Sequence, residues 1–452
     1  MKVDIGLMCT SHFLEKHPVL QESTEYKIKY VNVLEYFANK YGEDSGVAQQ
    51  IVNNYKSKFL ADDLSLYNYD NKALKQAAKG VIGARFKGYK LFTYRYALVC
   101  DCLFINASDR AKAQIAQEIV AEIKSIYRER YHKKLDKLFG VLYDNEQLPK
   151  GQQLLQYQVE GWHKNADFKK RPIQRILITA NMSAGKSTLI NALVGKTVSR
   201  TMNDACTSKL HYIYNKPFED NLIYKFDNEL TLDADERTII QNDHNNKSNA
   251  IHLSTYFRLE NKDHGRFCII DTPGVNSSLH SDHMKVTHKK IGTGHYDYII
   301  YVVNGENVGT EDDNKYLRYI GKNLASENII FVFNKLDRYK TKDDSIEDSI
   351  NKLRNDIQEK LGIANPIICP VSSYAGFLAK KQQYGLELNE DEVDEFSLMQ
   401  RKFKKEEYDL SKFYPKHIVE KVKSEEDSHV HEILKKCGIS CLEYLLQELD
   451  HS

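Results

Sequence analysis

The chain has 452 residues, of which 41% are apolar and 28% charged, with only 8 prolines, so it is long enough for more than one hydrophobic core and its composition excludes wholesale disorder. Lys plus Arg number 64 against 63 for Asp plus Glu, a formal charge of +1, so nothing global draws the chain to nucleic acid or anionic lipid, and no nucleic-acid partner is expected. The longest uncharged apolar windows, such as Tyr298 to Val303, fall far short of the roughly 18 residues of a membrane span.

The N-terminus, MKVDIGLMCTSHFLEKHP, lacks the extended apolar core of a secretory signal, so a cytoplasmic location is expected, with peripheral membrane association as the alternative. From Leu20 to about Asn165 apolar residues recur at steps of three to four: Tyr26, Tyr30, Leu34, Phe37 and Tyr41, then Ile115, Ile119, Ile123 and Ile126. This spacing predicts a helical domain over residues 1–165, its aromatic stripe packing into a core, with Ser108 as the N-cap of the second helix. The eight cysteines are scattered without zinc-ligand spacing and read as structural thiols.

After the link KKRPIQR (Lys169 to Arg175) the pattern changes to short apolar runs separated by helices: ILITA (Ile176–Ala180), FCIID (Phe267–Asp271), YIIYVVN (Tyr298–Asn304), IIFVFN (Ile329–Asn334) and PIICPVSS (Pro366–Ser373). Runs this continuous are buried on both faces, which predicts a three-layer α/β domain with a mostly parallel sheet over 166–452. LHYIYN, NLIYKFD and IHLSTYFRLE alternate more and read as an antiparallel edge portion. Two charged segments read as insertions: the polar stretch between Leu230 and Ser248, expected to be solvated, and a helical one at about 378–430 whose charged part runs from Glu387 to Ser428. In the last stretch Ile439, Leu442, Leu446 and Leu449 share one helical face, which should pack back on the sheet.

The chemistry lies at the ends of these strands. ILITA runs into Ala180-Asn181-Met182-Ser183-Ala184-Gly185-Lys186-Ser187-Thr188 and then the apolar helix LINALVG, the strand–loop–helix order of a phosphate-binding loop. Successive backbone N–H groups there form a nest at the positive end of a helix, Gly185 lets the backbone approach, Lys186 supplies a point charge and the Ser187 hydroxyl suits the octahedral shell of Mg2+. Ala180 stands where glycine is usual. Asp271-Thr272-Pro273-Gly274 ends a buried strand; Asp271 can hold magnesium through water, and the Gly274 N–H can sense a γ-phosphate.

Asn334-Lys335-Leu336-Asp337 ends IIFVF at the carboxyl edge of the sheet, where open α/β sheets bind ligands. Guanine offers two N–H donors to the Asp337 carboxylate, whereas adenine offers an acceptor, so GTP and GDP are expected over ATP. Ser372 and Ser373 are expected to present backbone N–H groups to guanine O6. A magnesium-sensing threonine is required between the phosphate loop and Asp271; Thr207 precedes an apparent strand, with Thr201 and Thr197 as competitors.

With these residues in hand, Ala180 to Ser373 resembles the GTPase domain of dynamin-like proteins, particularly the bacterial members, on SAGKSTLINALVG, CTSKLHYIY, DTPGVNSS and NKLD. The long interval from Thr207 to Asp271 separates it from small regulatory GTPases. The resemblance implies Thr207 as the switch threonine, a nucleotide-dependent homodimer, and a monovalent cation, K+ or Na+, in place of an arginine finger, with Ser183 as its ligand. It makes Lys186, Ser183, Thr207 and Gly274 the catalytic set, and Ser187, Thr207 and Asp271 the metal set. Met182 departs from the polar residue common at its position, and Val275 follows Gly274 where Ras-like proteins carry a water-orienting glutamine. Slow intrinsic turnover is therefore expected unless a second protomer supplies what is lacking. No hydrophobic paddle is visible, so membrane remodelling is a secondary reading, and the helical domain is expected to dock a protein partner.

Overall fold

The computed structural model describes residues 3–42, 46–70, 94–108, 112–144, 146–148, 155–181, 183–199, 209–240, 250–260, 265–272, 292, 296–306, 311–323, 328–339, 345–422 and 429–448. They divide into two compact units. The first comprises Met1–Arg171 with the short segments Pro217–Tyr224 and Glu229–Asp233; the second comprises Pro172–Lys216, Lys225–Asn228 and Ala234–Ser452.

The first unit is built from helices α1 (Thr24–Tyr41), α2 (Val47–Leu60), α3 (Arg95–Ala107), α4 (Ala113–Ile126), α5 (His132–Tyr143) and α6 (Gln156–Lys170). The aromatic stripe of α1 is core: Tyr26, Tyr30, Leu34 and Phe37 are buried, as are Ile119 and Ile123 of α4. Ser108 does not open α4. It sits at the C-terminal cap of α3, and α4 begins at Ala113, with Lys112 as its N-cap. At the centre, Oδ2 of fully buried Asp101 accepts hydrogen bonds from the Tyr30 hydroxyl (2.6 Å) and His17 Nε2 (2.9 Å), which offsets part of the cost of burying the carboxylate. The segment Pro217–Tyr224 is held in the same unit, its Asp220 accepting from the His12 N–H (2.9 Å) and its Phe218 carbonyl from the Ser11 hydroxyl (2.7 Å).

The strands are β1 (Gln174–Ala180), β2 (Leu210–Asn215), β3 (Tyr224–Phe226), β4 (Leu230–Thr231), β5 (Ala250–Thr255), β6 (Phe267–Asp271), β7 (Tyr298–Asn304), β8 (Ile329–Asn334) and β9 (Ile367–Pro370). They form one sheet in the order β4-β3-β5-β2-β6-β1-β7-β8-β9. From β6 to β9 every pairing is parallel. β2 runs antiparallel to β6, with His211 opposite Asp271. β5, which the sequence placed in an antiparallel portion, runs parallel to β2; alternation reports which face is buried, and says nothing of direction. The described part of the polar stretch, up to Ile240, forms β4 and a short helix Glu236–Ile240 and buries Leu232, Ala234 and Ile239; residues 241–249 lie outside the described residues.

Seven helices of the second unit position the site: α7 (Lys186–Val194), α8 (Glu311–Asn323), α9 (Ile346–Leu361), α10 (Ser373–Gln383), α11 (Glu390–Lys402), α12 (His429–Lys436) and α13 (Ile439–Glu448). Asn389 and Glu392 form a reciprocal capping box that starts α11 in the expected helical insertion. α13 packs against α7 and α12, burying Ile439, Leu442 and Leu446; Leu449 lies outside the described residues. A fully buried ion pair joins Lys380 of α10 to Glu443 of α13, and the same ammonium donates to the Leu193 carbonyl at the end of α7 (3.3 Å). Burial pushes the Glu443 carboxyl up to about 7 while Lys380 pulls the other way. Breaking one half of such a pair leaves a buried charge uncompensated, so it braces the C-terminal end of α7.

Candidate functional site: a nucleotide groove at the sheet edge

β1 ends at Ala180 and the chain turns through Asn181–Gly185 into α7. Two residues in the turn adopt left-handed backbone, Ser183 (φ 60°) and Gly185 (φ 85°). Gly185 is required twice: for that φ, and because a Cβ there would lie 2.5 Å from Asn334 Nδ2. Ser183 is exposed, Asn181, Lys186, Ser187 and Thr188 are half-buried, and Ala184 is buried. Ala180 is only 1% exposed, so the residue replacing the usual glycine faces the core.

Asn334, at the end of β8, ties two loops together. Its Nδ2 donates to the Ala184 carbonyl (2.9 Å), and its Oδ1 accepts from the Ser373 N–H (3.1 Å) and hydroxyl (2.8 Å). The phosphate loop and the turn before α10 are thereby held in one frame. Three residues on, the Asp337 carboxylate accepts from the Ser372 hydroxyl (2.7 Å), and its side chain is 7% exposed. Lys335 between them takes a left-handed φ of 66° and pairs with Glu306 (3.1 Å).

The amides of Ser372 and Ser373 are not placed as the sequence reading expected. The Ser372 N–H donates to the Cys437 carbonyl (2.8 Å) and the Ser373 N–H to Asn334 Oδ1. Both are spent inside the protein, so these residues act by holding Asn334 and Asp337 rather than by meeting guanine O6 themselves. The reason is long-range: the turn between α12 and α13, at Cys437, meets this loop, and no local pattern announces it.

At the phosphate end, the β6 carboxylate Asp271 is 1% exposed. Its Oδ1 pairs with Lys186 Nζ, and its Oδ2 accepts from the Ser199 hydroxyl (2.9 Å). Ser199 is set by Asn191 of α7, whose Oδ1 accepts the Val198 and Ser199 N–H groups (both 2.9 Å) and whose Nδ2 donates to the Ser199 carbonyl (2.8 Å). Thr272 donates to the Ile178 carbonyl of β1 (3.1 Å). His211 of β2 stands opposite Asp271. Burial drives its imidazole down to about 4, although Asp271 pulls the other way, so the ring is neutral near pH 7. Of the remaining candidates, Met182, Thr201, Thr207 and Gly274 lie outside the described residues, and Thr197 is half-buried.

Four contributors escaped the sequence reading. Asn191, Ser199 and His211 sit in ordinary helix, loop and strand contexts. Lys402, at the end of α11, reaches back to the carbonyls of Asp337 and Tyr339 (3.2 Å for the latter), lying over the Tyr408 ring (4.2 Å) while Tyr408 also donates to the Tyr339 carbonyl (3.0 Å). The charged insertion therefore buttresses the base-reading loop. A lysine in the last turn of a charged helix gives no sequence signal beyond a favourable helix dipole.

Among the described residues no three His, Cys, Asp or Glu side chains gather into a metal cage. Nucleotide-bound magnesium needs none, since it takes one or two protein oxygens and completes its shell with phosphate and water. The Ser187 hydroxyl and the buried Asp271 carboxylate are oxygen donors of that kind, and an unpartnered imidazole beside them suits a hydrated ion.

Residues 176–336 match the model of the Dynamin family. An uncharacterized protein in the xynA 3′ region of Caldicellulosiruptor sp. (strain Rt8B.4) is 26% identical over 238 residues, 51% of this chain and 57% of that protein. A probable transmembrane GTPase, FZO-like and chloroplastic, of Arabidopsis thaliana is 24% identical over 205 residues, 45% of this chain and 20% of that protein. The chain thus spans about half of the first relative's length and a fifth of the second's. Among solved structures, Toc33 from Arabidopsis thaliana with GDP and Mg2+ aligns at a TM-score of 0.29 and 12% identity over 47% of this chain and 78% of that one. Era in complex with MgGDPNP and nucleotides 1506–1542 of 16S ribosomal RNA aligns at 0.27 and 18% over 50% and 56%. The match to the Dynamin family begins at β1 and ends within the Asn334–Asp337 loop, so residues 176–336 are similar to a dynamin-like GTPase domain.

Proposed function

We propose that this chain binds GTP with magnesium and hydrolyses it to GDP and phosphate by attack of water on the γ-phosphate. The observation that carries the reading is the double grip of Asn334 on the Ala184 carbonyl of the phosphate loop and on Ser373 beside the base-reading carboxylate. Phosphate-binding and purine-binding elements so joined serve one ligand. Asp337 accepts the two guanine N–H donors; the Lys186 ammonium and the loop amides hold the phosphate oxygens and stabilise charge that develops on them. Ser187, Thr207 and Asp271 are the metal-holding residues, and the bound ion would neutralise charge on the β- and γ-oxygens. The Gly274 N–H senses the γ-phosphate.

Val275 cannot orient a water, so we assign activation to pairing of two GTPase domains, with Ser183 as the ligand of a monovalent cation. The helical unit would dock a protein partner, and the cytoplasm is the proposed location.

The test is phosphate release from GTP and from ATP, measured per molecule over a range of protein concentration. Preference for GTP and a rate per molecule that rises with concentration are expected. Equal use of ATP removes the guanine assignment. A flat rate removes pairing and leaves a slow GTP-dependent switch, the reading that Val275 also favours.

A further inference from the structure

The geometry points to a further positioning residue in this groove, an inference that rests on the function just proposed: we propose that His211 accepts, through one ring nitrogen, a hydrogen bond from a magnesium-bound water beside Asp271. His211 is 3% exposed, and among the described residues neither Nδ1 nor Nε2 has a hydrogen-bond partner. A neutral imidazole carries one donor and one acceptor, and burying both unpaired is unfavourable, so the ring is poised for a partner that the protein itself does not supply.

What surrounds the ring says what that is. His211 and Asp271 are directly opposed across the antiparallel β2–β6 pair, which places both side chains on one face of the sheet. Asp271 does not satisfy the ring: its Oδ1 is engaged by Lys186 and its Oδ2 by the Ser199 hydroxyl. Lys186, Lys209 and Lys225 are the other charges that reach the imidazole, all of them donors without a lone pair to offer. A water polarised by a divalent cation is a strong donor, and the lone pair of a neutral imidazole is the acceptor it requires. Outer-shell partners of this sort typically change metal affinity by about 10–100-fold when removed.

A buried histidine in a β-strand is otherwise simply a core residue, and the experiment separates the two. The dissociation of a fluorescent GDP from the full chain is followed across a magnesium series and in EDTA. For His211→Leu the magnesium concentration giving half-maximal slowing of release should rise about tenfold or more. The rate in EDTA should stay at the unsubstituted value. His211→Asn or His211→Gln, whose amide oxygens fall near the Nδ1 and Nε2 positions respectively, should recover most of the loss in one of the two, naming the nitrogen. An unchanged magnesium dependence in His211→Leu overturns the inference. So does an effect that appears only with a GTP analogue and is missing with GDP, which would place the ring on the γ-phosphate.

Should the leucine variant fail to fold, the unsubstituted chain still decides: with 15N-labelled histidine and Mn2+·GDP bound, pulsed EPR should detect a nitrogen coupling, and its absence overturns the inference. Loss of guanine-nucleotide binding by the unsubstituted chain would instead remove the function on which the inference stands.

Discussion

The base end and the phosphate end of the groove lie on one sheet edge and are built in opposite ways. At the base end the protein satisfies itself: Asn334 has three partners, Ser372 holds Asp337, and Lys402 and Tyr408 fasten the backbone of the same loop from outside. At the phosphate end Asp271 has Lys186 and Ser199, but the ring nitrogens of His211 beside it have no hydrogen-bond partner among the described residues. The first end is pre-shaped, so damage there should change which nucleotide is taken. The second is completed by its ligand, so damage there should change whether the phosphates and metal are held at all.

The largest expected effect belongs to the phosphate end. Lys186→Ala removes the point charge for the β- and γ-phosphates, and nucleotide binding or turnover should be lost, read by fluorescent GDP titration and phosphate release; activity like that of the unsubstituted chain would refute the assignment of Lys186. Next comes Asp337→Asn at the base end. The amide oxygen still accepts one guanine donor while the NH2 faces the other, so GTP affinity should fall about 100-fold, in keeping with the rejection of ligands that leave buried polar groups unpaired. Xanthosine nucleotides, with a carbonyl where guanine has its amino group, should gain affinity in a competition titration, and magnesium dependence should stay as it was. A variant that loses all nucleotides alike would erase the distinction between the two ends.

Lys402→Ala probes the outer layer of the base end. Loss of a charge-assisted hydrogen bond to two loop carbonyls is worth roughly 1.5–3 kcal/mol where it is fully felt, so guanine-nucleotide affinity should weaken by about tenfold, with binding in EDTA and in magnesium affected equally. An effect confined to magnesium would mean that the insertion acts on the metal. This residue also marks where sequence stops being informative. Phosphate loop, Asp271, Asn334 and Asp337 were legible because each needs a particular side chain at a fixed place after an apolar strand, and strand, loop and helix are local patterns. Lys402 and His211 were not, because their roles depend on which strand or loop they meet across the fold. The Ser372 and Ser373 amides fail for the same reason: the Cys437 carbonyl that occupies one of them lies 65 residues away in sequence. Sheet order was legible only in part, since the parallel β2–β5 pair has the same alternation as an antiparallel one.

The smallest effect isolates what a half-buried histidine does when it is only structure. His252 of β5 stacks against Tyr212 and Tyr214 at 4.9 and 5.9 Å, and its Nδ1 meets the Tyr214 hydroxyl at 3.1 Å, so unlike His211 it has a protein partner. Burial lowers its imidazole from 6.5 to about 4. The unfolded chain therefore takes up a proton below about pH 6.5 that the folded chain refuses until about pH 4. The stability tied to neutral His252 is fully present above that window and declines as pH falls through it, levelling off below. Replacing His252 by Gln removes the titration, so the fall in Tm between pH 6.5 and 4 should be shallower than in the unsubstituted chain, with guanine preference and magnesium dependence of GDP release unaltered. An equal slope would mean that His252 already carries its proton in the fold. A changed magnesium dependence would mean that perturbing any histidine of this sheet disturbs the metal, and the contrast with His211 would lose its meaning.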